Sequence, residues 1–221
     1  MRRVTQQQLC PRCGVDVEPP GLLADGWRCE RHGAVAPLSV SSNLTPEHVR
    51  WLAQRAGVPV WFPWPLPTGW VLTGALHAGD DRDSCVAAAV VCSGPGPRGG
   101  PADLVFVSEE PGVGLGAGYA GLPGPDAGPF AADRPPNTRV LVGHHEVPLW
   151  EIPGPTDRSV YVGEAAGRWL WAIAWPMEIG LVLHDELTLV DLRDPGLVLD
   201  LPLGAPSPRW RPTGAAGGAG T

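Results

Sequence analysis

Residues 10–33 have the sequence CPRCGVDVEPPGLLADGWRCERHG, and this stretch decides how the N-terminal part of the chain folds. It holds a Cys-x2-Cys pair, then fifteen residues, then a Cys-x2-His pair. Two residues between ligands let a tight turn aim both side chains at one ion, and this spacing is typical of a tetrahedral zinc site. We therefore predict a zinc ribbon over residues 8–34. Its ligands are Cys10, Cys13, Cys29 and His32.

The predicted zinc is structural, because protein side chains fill all four ligand positions and a catalytic zinc keeps one position for water. Three thiolates and a neutral imidazole leave the cluster with a net charge of −1. We expect the neighbouring Arg12, Arg28 and Arg31 to offset this charge and to lower the thiol pKa values. The alternative is a redox pair at Cys10 and Cys13, which requires a βαβ context that the sequence does not show.

The composition predicts a folded, loop-rich protein. The chain has 221 residues, with 30 Gly and 27 Pro, but 43% of its residues are apolar and ten are Trp. A disordered chain does not carry so many large apolar groups. The length allows one sizeable domain and one small one.

Beyond residue 57 the chain alternates short apolar stretches with Gly and Pro, which predicts strands separated by turns. Trp169, Trp171 and Trp175 alternate with smaller apolar residues, as in a central strand covered on both faces. The predicted fold class is α+β and mainly β, a small zinc ribbon followed by a Trp-rich, predominantly antiparallel domain. The candidate strands are 70–75, 86–92, 104–107, 139–142, 147–151, 160–163, 169–175, 180–184 and 187–191.

One helix is predicted near residue 45, where Thr45 can cap it and Pro46 can occupy its first position. Gly57 ends its apolar pattern. The segment 35–44 looks like a connector. The predicted organisation is a tail (1–7), the zinc ribbon (8–34), a linker with the helix start (35–48), the β-rich domain (49–205) and a disordered tail (206–221).

Two further stretches are distinctive. Segment 58–70 holds four prolines with Trp61, Trp64 and Trp70, so we expect it to be extended without a regular ladder. Its tryptophans either fill the core, which we favour, or form a binding surface. The run 112–121 contains a G-x-G-x-x-G match at Gly116, Gly118 and Gly121. No helix can follow in the proline-rich stretch after it, so we predict a loop rather than a nucleotide site.

The remaining titratable clusters do not form a catalytic signature. We interpret them as solvated or hydrogen-bonded groups, with a metal loop or a proton relay as alternatives. Cys85 and Cys92 are expected to be buried thiols. The clusters are Asp80, Asp81 and Asp83; His144, His145 and Glu146; His184 with Asp185 and Glu186; and Asp191 with Asp194.

Charge and hydropathy bear on partners and location. Residues 1–34 carry five arginines against four acids, whereas the rest carries eleven arginines against nineteen acids, which argues against nucleic-acid binding by the body. No signal peptide is recognisable, and the most apolar stretch, 169–183, is too short and too polar to cross a membrane. We therefore expect a cytoplasmic protein that binds no membrane.

The chain resembles an uncharacterised actinobacterial family, found in Streptomyces and relatives, whose domain has no known function. The resemblance covers about residues 8–209 and implies an actinobacterial, cytosolic origin, but no activity. It is carried by CPRCG and CERHG within 10–33, PVWFPWPLPTGW at 59–70, AGDDR at 78–82, CSGPGPRGG at 92–100, GVGLGAGYAGLPGPDAGP at 112–129, GRWLWAIAWP at 167–176 and HDELTLVDLRD at 184–194.

The sequence is compatible with three functions. The one we favour is a binding or regulatory module that acts through contacts with a protein partner. The second is an enzyme with its site in the β-rich domain, under the glycine run and using His144, His145 or the 184–186 groups. The third and weakest is nucleic-acid binding through the zinc ribbon, for which Arg2, Arg3, Arg12, Arg28 and Arg31 would have to form one face.

Overall fold

The structure is a computed structural model that describes residues 7–21, 25–40, 44–80, 84–130, 134–185, 187–197 and 200–209. Within these ranges the chain is mainly β. The helices are α1 (Pro46–Arg55), α2 (Leu115–Ala120) and a 3-10 helix (Met177–His184). The strands are β1 (Gln7–Leu9), β2 (Arg28–Cys29), β3 (Gly33–Ala34), β4 (Leu38–Val40), β5 (Trp61–Pro63), β6 (Val71–Ala78), β7 (Ala87–Pro95), β8 (Pro101–Glu109), β9 (Thr138–Val142), β10 (His145–Glu151), β11 (Ser159–Ala165), β12 (Arg168–Trp175) and β13 (Thr188–Asp191).

Eleven of these strands form one sheet in the order β1-β4-β6-β7-β8-β12-β11-β10-β9-β13-β5. Neighbouring strands are antiparallel except for β13 and β9, which run parallel. The prediction of a mainly β, largely antiparallel domain is therefore confirmed. β2 and β3 form a separate two-stranded ladder in the metal-ligand segment.

The strand β12 lies near the middle of the sheet, between β8 and β11, as its two apolar faces predicted. Trp171 is fully buried in a core on one face, while Leu170 and Ala172 belong to the core on the other face. Burial on both faces explains why large and small apolar residues alternate along this strand.

The sheet curls, so that β5 at its far end contacts β7 and β8 near its middle. The first core fills the inside of the curl and includes Phe62, Phe106 and Leu149. The second core covers the outer face, where Trp171 packs with residues of α2 such as Leu115 and Tyr119.

Helix α1 forms where the sequence predicted it. The Thr45 hydroxyl accepts a hydrogen bond from the His48 backbone N–H at 3.2 Å, and Pro46 occupies the first position. Val49 and Leu52 are the buried residues of the helix. Capping and an apolar stripe are thus sufficient to predict this element.

The tryptophans of segment 58–70 pack into the core, which is the alternative that we favoured from the sequence. Trp61 and Trp70 are buried in the first core, and Trp64 is partly buried against it. The expectation that this segment forms no ladder was wrong, because β5 pairs with β13 over three residues. Proline is compatible with this position, since β5 is the last strand in the sheet order.

The predicted strand 180–184 was also wrong, because these residues belong to the 3-10 helix. Ile179, Gly180 and Leu183 are its buried residues. A Cβ at Gly180 would lie 2.9 Å from the Ser159 side chain, so glycine permits the helix to pack closely on β11. A short apolar run does not distinguish a strand from a buried helical turn.

The segment predicted as a connector contains β4, a fully buried strand that links β1 to β6. At the other end, residues 206–209 of the predicted disordered tail make defined contacts, since Ser207 is buried and Arg209 pairs with Asp103 at 3.0 Å. Residues 1–6 and 210–221 lie outside the described part of the chain. Within the described part, no helix combines the length and the apolar character needed to cross a membrane.

Candidate metal centre

The four predicted ligands converge in the structure and can bind a metal ion. Their ligand atoms all lie within 4.8 Å of one another. The His32 Nδ1 atom is 3.4 Å from the Cys10 Sγ and 3.6 Å from the Cys29 Sγ, and the Sγ atoms of Cys13 and Cys29 are 3.8 Å apart. The imidazole therefore faces the thiols through Nδ1.

Two tight turns place these side chains. The Gly14 N–H donates to the Cys10 carbonyl at 2.8 Å, which closes the turn between Cys10 and Cys13. Gly14 and Gly33, which follow the two ligand pairs, have φ values of 67° and 70°. Glycine adopts this conformation without the steric cost of a Cβ.

The surroundings of the ligands favour metal binding. Burial lowers the pKa of His32, and the positive charges of Arg12 and Arg31 lower it further, so the imidazole stays neutral and keeps a lone pair for a metal. Burial raises the pKa of the Cys10 thiol to about 12. A thiolate at Cys10 therefore requires compensation of its charge, which a bound cation supplies.

Hydrogen bonds account for the lowered pKa of Cys29. Burial raises this pKa, but hydrogen bonds from the backbone N–H groups of Arg31 and His32 and from the side chains of Cys10 and Cys13 together lower it below its ordinary value. The Arg12 guanidinium is turned toward the body of the protein, where Nη2 donates to the Gly112 carbonyl at 2.6 Å and Nε donates to the Val113 carbonyl at 3.3 Å.

The metal-ligand segment continues the main sheet at its β1 edge. The Val17 N–H donates to the Gln8 carbonyl at 3.2 Å, which pairs residues 15–17 with β1. Glu18 and Arg28 then exchange backbone hydrogen bonds of 2.9 and 3.0 Å, which lead into β2 and β3. The segment is therefore attached to the body through backbone bonds, and it covers an edge that would otherwise be open.

The glycine run packs directly against the metal-ligand segment. The prediction of a loop was wrong, because residues 115–120 form α2 and all six are buried. A Cβ at Gly118 would lie 2.4 Å from the carbonyl oxygen of Pro11, one of the two residues between the first two ligands. Gly118 thus allows the helix to contact the turn without an intervening side chain, and the glycine pattern reflects packing.

Glu109 anchors α2 from the sheet, and the sequence analysis missed it. The carboxylate is fully buried, and it accepts hydrogen bonds from the backbone N–H groups of Leu115 at 2.7 Å and Gly116 at 3.1 Å. Burial raises its pKa to about 8, and the nearby Asp126 charge adds to this, against the lowering effect of the two N–H groups. The sequence feature that could have identified Glu109 is an acidic residue at the end of an apolar strand, just before a glycine run.

A histidine pair, buried His77 and half-buried His48, was also missed. His77 on β6 is 2% exposed, and its ring centroid lies 4.8 Å from that of Trp51 on α1. Burial lowers the pKa of His77 to about 4, and the charges of His48 and Arg55 add to this effect. Trp51 is 40% exposed, so this histidine pair lies directly beneath an aromatic surface residue.

The other sequence candidates lie on separate elements. His144 is exposed in the turn between β9 and β10, and His145 and Glu146 are exposed at the start of β10. His184 is exposed at the end of the 3-10 helix. Asp191 accepts a hydrogen bond from the Val60 N–H at 3.0 Å and pairs with Arg193. Cys85 and Cys92 are buried, as predicted. Asp81, Asp83 and Glu186 lie outside the described residues.

An open groove lies beside the metal-ligand segment. It has a volume of about 430 Å³ and runs between that segment and the turn at residues 110–113. Trp27, Val35 and Val113 supply apolar surface, and Arg12 and Glu110 supply polar surface. The volume falls within the usual range of ligand-binding clefts.

Comparison with known proteins gives a family but no activity. Residues 4–210 match the model described as Family of unknown function (DUF6758). No curated protein and no solved structure matches the chain. The match spans nearly the whole chain and includes all four metal-ligand candidates, and we conclude that the protein belongs to this family of unknown function.

Proposed function

We propose that the protein is a binding module that acts through contacts with another protein, and that a structural zinc ion holds its N-terminal segment. Zinc is supported by the donor set and by the distances between donors. Zn–S bonds of about 2.3 Å and Zn–N bonds of about 2.0–2.1 Å in a tetrahedron place two sulfurs about 3.8 Å apart, and a sulfur and a nitrogen about 3.5 Å apart. Three of the six donor separations agree with these values, at 3.8 Å between sulfurs and 3.4 and 3.6 Å between sulfur and nitrogen, and all six are within 4.8 Å.

The groove at Trp27 is the observation that carries the binding function. Its lining is partly apolar, and the metal-ligand segment forms one of its sides through residues such as Trp27. Aromatic side chains in clefts are frequent anchors in protein interfaces. We infer that Trp27 is the anchor for the partner.

The described cavities support a binding module more than an enzyme. Three of them, of about 190, 350 and 430 Å³, open on the described surface. An active site usually combines a cavity with groups of strongly shifted pKa. Glu109, His77 and Tyr119 have such shifts because they are buried, but none of them lines these cavities.

Nucleic-acid binding has less support. The hypothesis requires a contiguous arginine face on the metal-ligand segment, but the Arg12 guanidinium is bonded to two carbonyls of the body. Asp16, Glu18 and Glu30 are exposed on the same segment and oppose phosphate.

We also propose a cytoplasmic location, supported by the observation that none of the five cysteines, all within the described residues, forms a disulfide. An actinobacterial source is proposed on the resemblance alone.

A site-specific crosslinking experiment tests the binding function. A photo-crosslinking amino acid replaces Trp27 in the full chain, and the same amino acid replaces the exposed Glu164 on β11 as a control. In native lysate we expect a discrete crosslinked protein from position 27 only, which disappears when Cys29→Ser is added. Equal labelling from both positions, or none from position 27, would overturn the proposal.

A further inference from the structure

Residues 201–209, which we call the strap, pair with the edge of β6 through a single parallel bridge. The Leu72 N–H donates to the Pro202 carbonyl at 2.8 Å, and the Gly204 N–H donates to the Leu72 carbonyl at 2.9 Å. This pattern is a parallel bridge between Leu72 and Leu203. The strap therefore binds β6 in the way that an extended peptide binds a sheet edge.

The edge available to the strap is the first half of β6. The neighbouring strand β4 pairs only with His77 and Ala78 at the other end of β6. A register shift between Leu72 and Gly74 also bends β6 at this point. Among the described residues, only the strap forms backbone hydrogen bonds with Leu72 on the edge of β6 that β4 occupies further along.

An acidic anchor receives the end of the strap. Arg209 Nη1 donates to the Asp103 carboxylate at 3.0 Å, and only 5% of the Asp103 side chain is exposed. The Ser93 hydroxyl donates to the other Asp103 oxygen at 2.5 Å, and the Thr73 hydroxyl lies 2.6 Å from that of Ser93. The guanidinium of Arg209 also lies 5.7 Å from the Trp175 ring centroid. These contacts form a defined binding site for one cationic group.

The strap itself lies mostly at the surface. Leu201 and Leu203 are partly buried against the first core, and Ser207 is buried. The other six residues are exposed or half-exposed. The groove beneath the strap therefore has recognisable chemistry: backbone pairing at Leu72, apolar contact for leucine, and a buried carboxylate for arginine.

We propose that this groove is a strand-addition site for an extended segment of a partner protein that carries leucine and, a few residues later, arginine, and that the strap occupies it in cis. The inference rests on the proposed binding function and specifies a second surface and a class of ligand for it. A tethered segment acts at an effective concentration in the millimolar range, so the strap excludes weak ligands until it is displaced. The strap is thus an autoinhibitory contact.

Peptide binding to the full chain tests this proposal. The probe is a fluorescent peptide with the strap sequence, LPLGAPSPR, and the protein variant is Leu203→Asp/Arg209→Ala, which weakens the strap at both anchor points. We expect the peptide to bind this variant at least about tenfold more tightly than the wild-type chain, because the cis competitor is weakened. Adding Asp103→Asn, or changing the peptide arginine to alanine, is expected to reverse most of that gain.

A second variant distinguishes displacement of the strap from loss of folding, because Arg209→Ala removes the cation that pairs with the buried Asp103 carboxylate. A Cβ at residue 204 would lie 2.6 Å from Val71 Cγ2, so Gly204→Val displaces the strap while Arg209 is retained. Equal peptide affinity for the wild type and both variants would overturn the proposal. So would unfolding of both variants by circular dichroism, because the strap would then be part of the core. Crosslinking from position 27 reports on the other surface and separates failure here from failure of the binding function.

Discussion

At the residue scale, the four metal-ligand candidates have different environments. Cys10 and Cys29 are buried, whereas Cys13 and His32 are partly exposed. Water cannot readily reach a buried ligand, so it cannot solvate that group after its bond to the metal is lost. The buried ligands are therefore the ones whose loss should disturb both the metal and the fold.

Replacement of Cys29 by serine tests the site directly. We expect Cys29→Ser to reduce bound zinc from about one ion per chain to almost none, because the tetrahedral site loses a thiolate. The measurement is metal content by atomic emission, with thermal unfolding recorded on the same samples. Cys85→Ser is the matched control, a buried thiol outside the site, and it should retain the metal. Equal metal content in both variants would contradict the assignment.

The buried carboxylate of Glu109 should give the protein a pH-dependent stability. Its folded-state pKa of about 8 lies above the ordinary value of 4.5, so the folded protein holds the proton more tightly than the unfolded chain. The stabilisation is present below about pH 4.5 and is lost as the pH rises to 8, by up to about 5 kcal/mol. Urea unfolding across this range measures the slope.

The variant Glu109→Gln should flatten that slope, although it also loses part of the hydrogen bonding to α2 and is less stable throughout. Its neighbour Glu110 is partly exposed and pairs with Arg168, so Glu110→Gln is the control and should keep the wild-type slope. If both variants show the same dependence on pH, another group is responsible.

At the element scale, α2 connects the metal site to the sheet. On one side Gly118 contacts the turn at Pro11, and on the other a Cβ at Gly116 would lie 2.3 Å from the Trp171 ring. The helix is thin because its glycines lack side chains. The metal site and the central strand β12 are therefore separated by only one short element.

A single methyl group should disturb this arrangement. Gly118→Ala is expected to lower the free energy of unfolding by about 1–3 kcal/mol through overpacking, and to speed the loss of zinc to a chelator. Gly124→Ala is the matched control, because the nearest atom to its Cβ lies 3.9 Å away. Chemical unfolding and chelator kinetics measure the two effects. A tolerated Gly118→Ala would show that the helix and the turn are not in rigid contact.

The elements differ in how well the sequence predicts them. The ligand turns and α1 depend on local spacing and capping, so Cys10–Cys13 spacing and Thr45 were sufficient. Helix α2 could not be predicted from local signals, because glycines disfavour an isolated helix and only the contacts with Pro11 and Trp171 explain them. The strand β4 was missed because its role depends on pairing with distant residues of β1 and β6.

At the scale of the whole molecule, alternation along β12 indicated a covered central strand, but the order of the strands and the curl depend on contacts distant in sequence. Glu109, His77 and Asp103 were missed for the same reason, since a polar residue acquires its role only when the surrounding sheet buries it. The metal site was predictable because four ligands and their turns lie within 23 residues, Cys10 to His32.

Protonation of buried His77 should contribute an acid-dependent loss of stability. Its folded-state pKa of about 4 lies below the ordinary 6.5, so the unfolded chain binds the proton more readily. The contribution of His77 should therefore fall by up to about 3 kcal/mol as the pH drops from 6.5 to 4, and it opposes the contribution of Glu109 over this range. His77→Gln should reduce this acid dependence, whereas the exposed His144→Gln should not. Urea midpoints at pH 4.5 and 7 decide between these outcomes.

The contact between Arg12 and Gly112 has a consequence for biosynthesis. The two residues are 100 positions apart in the sequence. A ribosome that adds about 5–20 residues per second therefore synthesises Gly112, the residue that Arg12 contacts, roughly 5–20 s after the first ligand turn. During that interval the nascent metal-binding turns are uncovered. Delivery of the proposed zinc and competition by cellular chelators would therefore act on the growing chain, before α2 packs on the turn at Pro11.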